Sequence, residues 1–451
     1  MAFSLAKEGG QAMLRTTLRR DPAPAPTPMN KLRLLSVGGA IAALVAPATL
    51  VVACATDNGD AVHGPQFGPV PERPDGSGAD ARPAEESGAT ANDAEAGAEA
   101  GDPDGAAACT TGTVAVLAGN DSSLTGAVQL HGGAWTGVAI TGGAAKSTPS
   151  LVAFGTGFTG LTRGASDALQ AVTYDAAWSG ATAVASLVTL GTPAIAVVGA
   201  KAQAAFLSGP ESGSADSHKL FRIENAGTTW SAADPVTVGA SASFGPSAPS
   251  AAGAGADLVI AQDGDDSMLY TQRWSTTWAM AAPIGGGVST LKAAPPALVA
   301  VTGKFDLVLL YADAAPPHVI GFATRDAMAP TGWSNGQVTQ ATAQTAEQMS
   351  VASLSPTRLL VAFRGNDSRP YTMLGTIGAT SITWSVPAPL LADTSIVDTA
   401  PAVARGVCGD DAIAVFAAGG VVKATQYRGT TWTVPGTVAG ATGSRVSVAT
   451  R

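Results

Sequence analysis

A tryptophan that returns about every 50 residues limits what this chain can fold into. Thr271 to Trp278 reads T-Q-R-W-S-T-T-W, and 154 residues later Thr425 to Trp432 reads T-Q-Y-R-G-T-T-W, identical at five of eight positions. Weaker copies end at Trp135, Trp178, Trp230, Trp333 and Trp384. With Trp278 and Trp432 included, the successive intervals are 43, 52, 48, 55, 51 and 48 residues. Self-similarity at this period, carried by strands, indicates a β-propeller.

The segments between the tryptophans are strands. Val114–Leu117, Leu151–Phe154, Ala194–Val198, Leu258–Ala261, Leu307–Tyr311, Leu359–Phe363 and Ala412–Phe416 are short apolar runs ending in turn residues, each too short for a helix. Hairpin chemistry follows several of them, as in Gly119-Asn120-Asp121-Ser122 and Gly365-Asn366-Asp367-Ser368. Asp263, Asp265 and Asp266 have a second reading as a calcium loop. Their spacing lacks the glycine and distal glutamate of that site, so the hairpin reading is preferred and no metal site is expected. The first strand of most units opens with proline, as at Pro149, Pro193, Pro249, Pro296 and Pro401, where no ladder bond is lost. The unit containing Trp135 lacks such an opening strand, and Gly443 to Ala449 follows the last tryptophan. The fold expected is therefore all-β, a seven-bladed propeller over 109–451 whose C-terminal strand completes the first blade. The tryptophan has two readings there, as a ring filling the wedge between adjacent sheets or as a platform for a sugar.

Ahead of the repeats, residues 1–54 carry a signal. From Met29 the chain runs through a short basic stretch (Lys31, Arg33) into an uncharged apolar run from Leu34 to Ala53, and then Cys54. Starting at Met29 makes the first 28 residues an extension of the gene. Val51-Val52-Ala53-Cys54 resembles the bacterial lipobox, which implies lipidation of Cys54. A plain signal peptide cut near Ala53 and an uncleaved membrane anchor are the other readings. All three export the body. Residues 55–108 are Ala, Gly, Pro, Asp and Glu with almost no large apolar side chain, the composition of a disordered tether. Net charge is +4 over 1–54, −10 over 55–108 and −3 over 109–451, so the acidity belongs to the tether. A nearly neutral body excludes nucleic acid as a partner, since phosphates require a basic stripe.

Three cysteines, Cys54, Cys109 and Cys408, match no zinc spacing. Cys109 precedes the closing blade's second strand, and Cys408 lies between first and second strands of the preceding blade. Such positions suit a disulfide that staples the seam; two free thiols are the alternative.

Catalytic chemistry is scarce. His131, His218 and His318 fall at different places in their units, and no nucleophile elbow, zinc-protease or phosphate-loop motif occurs. Asn225-Ala226-Gly227-Thr228-Thr229-Trp230, and less closely Tyr427 to Trp432, resembles the Asp-box of sialidase-type propellers, which implies a folding turn remote from catalysis. The body is also similar to fucose-binding lectin propellers, in which arginine, glutamate and aromatic side chains meet between blades. On that resemblance Arg222, Arg273 and Arg325, which precede Trp230, Trp278 and Trp333, are candidate ligand contacts; Trp274 joins them because the pair Arg273-Trp274 occurs in this form in one blade alone. Glu211 and Glu224 lie near such positions.

The sequence reading is thus a non-enzymatic, monomeric, cofactor-free binding module in the bacterial cell envelope, held to the membrane by its N-terminal lipid and directed at glycan. A protein-interaction scaffold and a degenerate sialidase-like glycosidase are the alternatives. Cys54→Ala should release the protein from membranes on fractionation; tight retention of the variant would instead identify an uncleaved transmembrane anchor.

Overall fold

The computed structural model describes residues 111–208, 218–227, 229–236, 244–285, 287–329, 332–334, 336–392 and 394–451. The signal and lipidation segment with Cys54, the tether, Cys109 and Glu211 lie outside these residues. Among the described residues every regular element is a strand, and the strands form seven antiparallel sheets. Blade 1 runs from inside outward as Arg445–Thr450, Thr113–Asn120, Ser123–Leu130 and Trp135–Ala139. Blades 2 to 7 follow over 150–188, 194–235, 250–283, 297–338, 350–389 and 402–442. The C-terminal strand therefore closes blade 1, with Val116 opposite Val448 and Leu117 opposite Ser447. The innermost strands of successive blades adjoin one another in a closed cycle, so the ring has seven junctions.

Side-chain patterning follows radial position. The second strand of each blade is largely buried between neighbouring blades, and in several blades it reads as an almost unbroken apolar run, as in Phe305–Ala312 (FDLVLLYA) and Ala412–Ala418 (AIAVFAA). Outer strands are short and exposed, such as Gln337–Val338. The five prolines sit one residue before the first strands rather than within them, just ahead of Ser150, Ala194, Ser250, Ala297 and Ala402. There they end the incoming loop without touching the ladder.

The core is divided among the junctions. Seven apolar clusters each combine side chains of two adjacent blades, and each contains one repeat tryptophan, supplied by the later blade of the pair. Trp178 packs between blades 1 and 2, Trp230 between 2 and 3, Trp278 between 3 and 4, and Trp333 between 4 and 5. Trp384, Trp432 and Trp135 complete the circle, the last across the seam between blades 7 and 1. Each tryptophan pairs with the end of its own blade's third strand, at Gln129, Tyr174, Asn225, Trp274, Arg325, Gly375 and Tyr427 in chain order. Trp384 is buried and the other six are half-buried; removing a fully buried ring of this size costs about 3–5 kcal/mol, and less where the ring is partly exposed. Space for the ring is built in at blade 1, where a Cβ on Gly126 would fall 2.4 Å from the Trp178 indole.

Polar bonds join the blades near the axis. Ser250 Oγ accepts from the Leu298 amide at 2.8 Å and Ser350 Oγ from the Val403 amide at 3.0 Å, while Ser150 donates to the carbonyl of Pro193. These bonds engage backbone groups along the inner edge that have no further strand to pair with. At the seam, Cys408 occupies a tight turn with φ 60° and its Sγ lies 3.4 Å from the carbonyl oxygen of Thr111.

The carboxylates of the blade 4 hairpin are engaged locally. Asp266 Oδ1 accepts from the Met268 amide at 3.0 Å, and its Oδ2 accepts from the Tyr270 hydroxyl at 2.7 Å. Asp263, at the end of strand Asp257–Asp263, is 1% exposed; the Ser247 hydroxyl donates to its Oδ1, and Oδ2 has no hydrogen-bond partner. Burial pushes its pKa up to about 7, with Asp265 and Asp266 adding to the rise and Lys292 opposing it. The native state thus holds this proton more tightly than an unfolded chain, whose aspartates titrate near 3.9. The stability it confers is complete below about pH 4 and is lost as pH rises through 7. Asp263→Asn, which stays neutral, should therefore gain melting temperature relative to the parent by several degrees between pH 4.5 and pH 8 in calorimetry. A pH-independent difference would show that Asp263 titrates normally.

Candidate functional site

Blades 3 and 4 bring together a group of polar and aromatic side chains that are far apart in sequence. Strand alternation places Arg222 and Glu224, two residues apart on Lys219–Asn225, on one face. The register sets Gln203 opposite Glu224, and Asp234 of the outer strand opposite Arg222. Trp274 comes from the end of the third strand of blade 4, Leu269–Trp274, which the ring places beside blade 3.

Arg222 is the centre of the group, with its side chain 7% exposed. Its Nε–H donates to Gln203 Oε1 at 2.8 Å, one terminal nitrogen donates to Glu224, and the other lies 3.5 Å from Asp234 Oδ2. The guanidinium carbon sits 4.2 Å from the Trp274 ring centroid, and Trp278 flanks that ring at 5.1 Å. A desolvated cation over an indole contributes on the order of 2 kcal/mol, which helps to offset the cost of burying the charge. Lys201 Nζ donates to Glu224 Oε1 at 2.8 Å. That bond, with the charge of Arg222, holds the Glu224 carboxyl below its ordinary range against the opposing effect of burial. Glu224 therefore stays ionised and acts only as an acceptor.

Above these groups is an open cleft of about 550 Å³, bordered by the Gly199–Ala200 turn on one side and by Ser275 and Thr276 on the other. Lys201, Gln203, Arg222, Glu224 and the Trp274 ring all line it. Two cations, Lys201 and Arg222, balance two carboxylates, Glu224 and Asp234. The cleft thus offers fixed acceptors, an ammonium donor and an aromatic surface without excess charge.

The four ligand contacts expected from sequence divide between two clefts. Arg222 and Trp274 meet here. Arg273 points the other way, lies 3.5 Å from Asp257 and lines a smaller cleft of about 100 Å³ between blades 4 and 5, shared with Arg325 and Trp333. Arg325 is bound through two bonds to Asp306, at 3.0 and 2.7 Å, and is 6.0 Å from the Trp333 ring. The three arginines are not equivalent positions. Arg222 precedes the tryptophan-paired residue of its strand by three, Arg273 precedes it by one, and Arg325 is that residue. Variable turn lengths make them look alike when counted from the tryptophan. Lys201, Gln203 and Asp234 are additions from the structure. The alternating pair Arg222 and Glu224 was the only signal in sequence for this face, and its partners emerge once strand register is known.

Near the axis the chemistry is different. The innermost strands contain no Asp or Glu. A cavity of about 250 Å³ at one end is lined by Ser, Thr, Gln and apolar residues, among them Ser150, Ser350 and Ser447. Asn225, in the Asp-box-like segment, accepts from the Gly227 amide at 2.7 Å and so shapes the turn leading to Trp230.

No protein-family model matches the chain, and no curated protein matches it. Among solved structures it is similar to the BP39L lectin from Burkholderia pseudomallei, at 14% identity over 74% of this chain and 96% of that one, with a TM-score of 0.57. It is also similar to a fucose-specific lectin from Aleuria aurantia, at 14% identity over 65% of this chain and 96% of that one, with a TM-score of 0.42. At such identity the likeness to the Burkholderia protein establishes a shared β-propeller fold.

Proposed function

We propose that this chain is a non-enzymatic binding module for carbohydrate, with the cleft between blades 3 and 4 as its site. The observation that carries the reading is the buried Arg222, fixed by Gln203 and Glu224 against Trp274. A sugar ring presents hydroxyl donors on its rim and apolar C–H groups on its faces. Glu224 and the Lys201 ammonium suit the former, and the accessible part of the Trp274 ring suits the latter. The balanced charge favours a neutral sugar over an acidic one. The fold shared with BP39L, a protein described as a lectin, supports the same reading. Most glycoside hydrolysis uses two carboxyl groups flanking the scissile bond. Here Glu224 is tied to Lys201 and Arg222, and the axial strands supply no acid.

The module acts outside the cytoplasm, anchored through a lipid on Cys54 at the end of the acidic tether. In that oxidising setting Cys109 pairs with Cys408, whose Sγ lies 3.4 Å from the carbonyl of Thr111, two residues along the chain from Cys109. Iodoacetamide should label neither cysteine of the denatured protein until a reductant is added; labelling of both without reductant would dismiss the pairing. On a glycan array the full chain should retain neutral glycans, with at least tenfold weaker retention by Glu224→Gln. An array with no retained glycan would count against carbohydrate binding altogether.

A further inference from the structure

We infer that the ring is monovalent: of its seven inter-blade clefts, only the one between blades 3 and 4 holds ligand. This rests on the carbohydrate reading of that cleft and concerns how many such sites the repeat provides. Because each repeat tryptophan pairs with a known residue of its third strand, the seven blades can be aligned position by position without reference to loop length.

The place of Arg222 is taken in the other blades by Gly126, Ala171, Thr271, Phe322, Thr372 and Ala424. The place of Glu224 is taken by Val128, Thr173, Arg273, Thr324, Leu374 and Gln426. The buried cation and its carboxylate partner occur together once.

Four of the other clefts also differ from it in size or lining. Between blades 1 and 2 the Trp178 indole occupies the space left by Gly126. Between blades 5 and 6 Phe322 meets the Trp384 ring edge-on at 5.5 Å. The blade 4 and 5 cleft, at about 100 Å³, is well under the usual size of a ligand pocket. The cleft between blades 2 and 3 is roomy, at about 770 Å³. At the three clamp positions, however, it carries Thr159, Ala171 and Thr173, and the charged residues that line it, Asp175 and Arg451, stand outside those positions. The wedge tryptophan is thus common to all blades, while the clamp belongs to one.

A monovalent propeller gains no avidity from its own symmetry and cannot cross-link two glycans. The test is titration calorimetry of the full chain with the methyl glycoside that binds best in a panel of neutral and acidic methyl glycosides. One site per chain is expected, with at least tenfold weaker binding in Glu224→Gln and no change in Thr173→Val, the corresponding position of the blade 2 and 3 cleft. Lys201→Ala gives a second comparison should Glu224→Gln lower the melting temperature, and the same loss is expected of it. Two or more sites per chain, or unchanged binding in both Glu224→Gln and Lys201→Ala, would overturn the inference and leave carbohydrate binding standing. Absence of heat with every glycoside would overturn the carbohydrate reading itself.

Discussion

Everything in this fold depends on filling the wedge between neighbouring sheets. A four-stranded antiparallel blade has two faces, and in a ring each face must be covered by the next blade. Sheets radiating from an axis diverge toward the rim, so the gap widens where strands are shortest. One large ring per junction, placed at the outer strand, fills the space that Val, Leu and Ala fill further in. The seven clusters, each with its tryptophan, are this single solution repeated. The solution is local, which permits loops of different length around it without disturbing the packing.

That locality explains what could be read from the sequence. The wedge leaves a periodic trace because a large aromatic ring is uncommon in this chain, with 8 Trp in 451 residues. Its intervals disclosed the blade number, and the surplus strand after Trp432 disclosed the closure. The cleft left no comparable trace. Gln203, Arg222 and Trp274 span 71 residues and two blades, and they converge only after the register of each hairpin is fixed. Counting from the tryptophan suggested a recurring arginine. The strand positions of Arg222, Arg273 and Arg325 differ by up to three residues, and because side chains alternate, an offset of one already reverses the face.

Two buried ionisable groups in the same region show opposite outcomes of desolvation. Arg222 keeps its charge because Gln203, Glu224, Asp234 and the Trp274 ring surround it with compensating partners. Asp263 receives one hydroxyl, and burial together with the charges of Asp265 and Asp266 outweighs the opposing charge of Lys292, so its neutral form is favoured. The first arrangement presets a rigid polar surface facing solvent. The second holds a hairpin base together without offering anything to a ligand.

The closing strand has a consequence for how the molecule is made. Val116 pairs with Val448, 332 residues further along the chain. At ordinary rates of synthesis, about 5–20 residues per second, the partner strand emerges tens of seconds after Thr113–Asn120. Until then blade 1 has no inner strand, and the junctions on either side of it cannot both form. The ring therefore cannot close until Arg445–Thr450 has been made, so its last junctions form after the hairpins of the intervening blades have been available for some time.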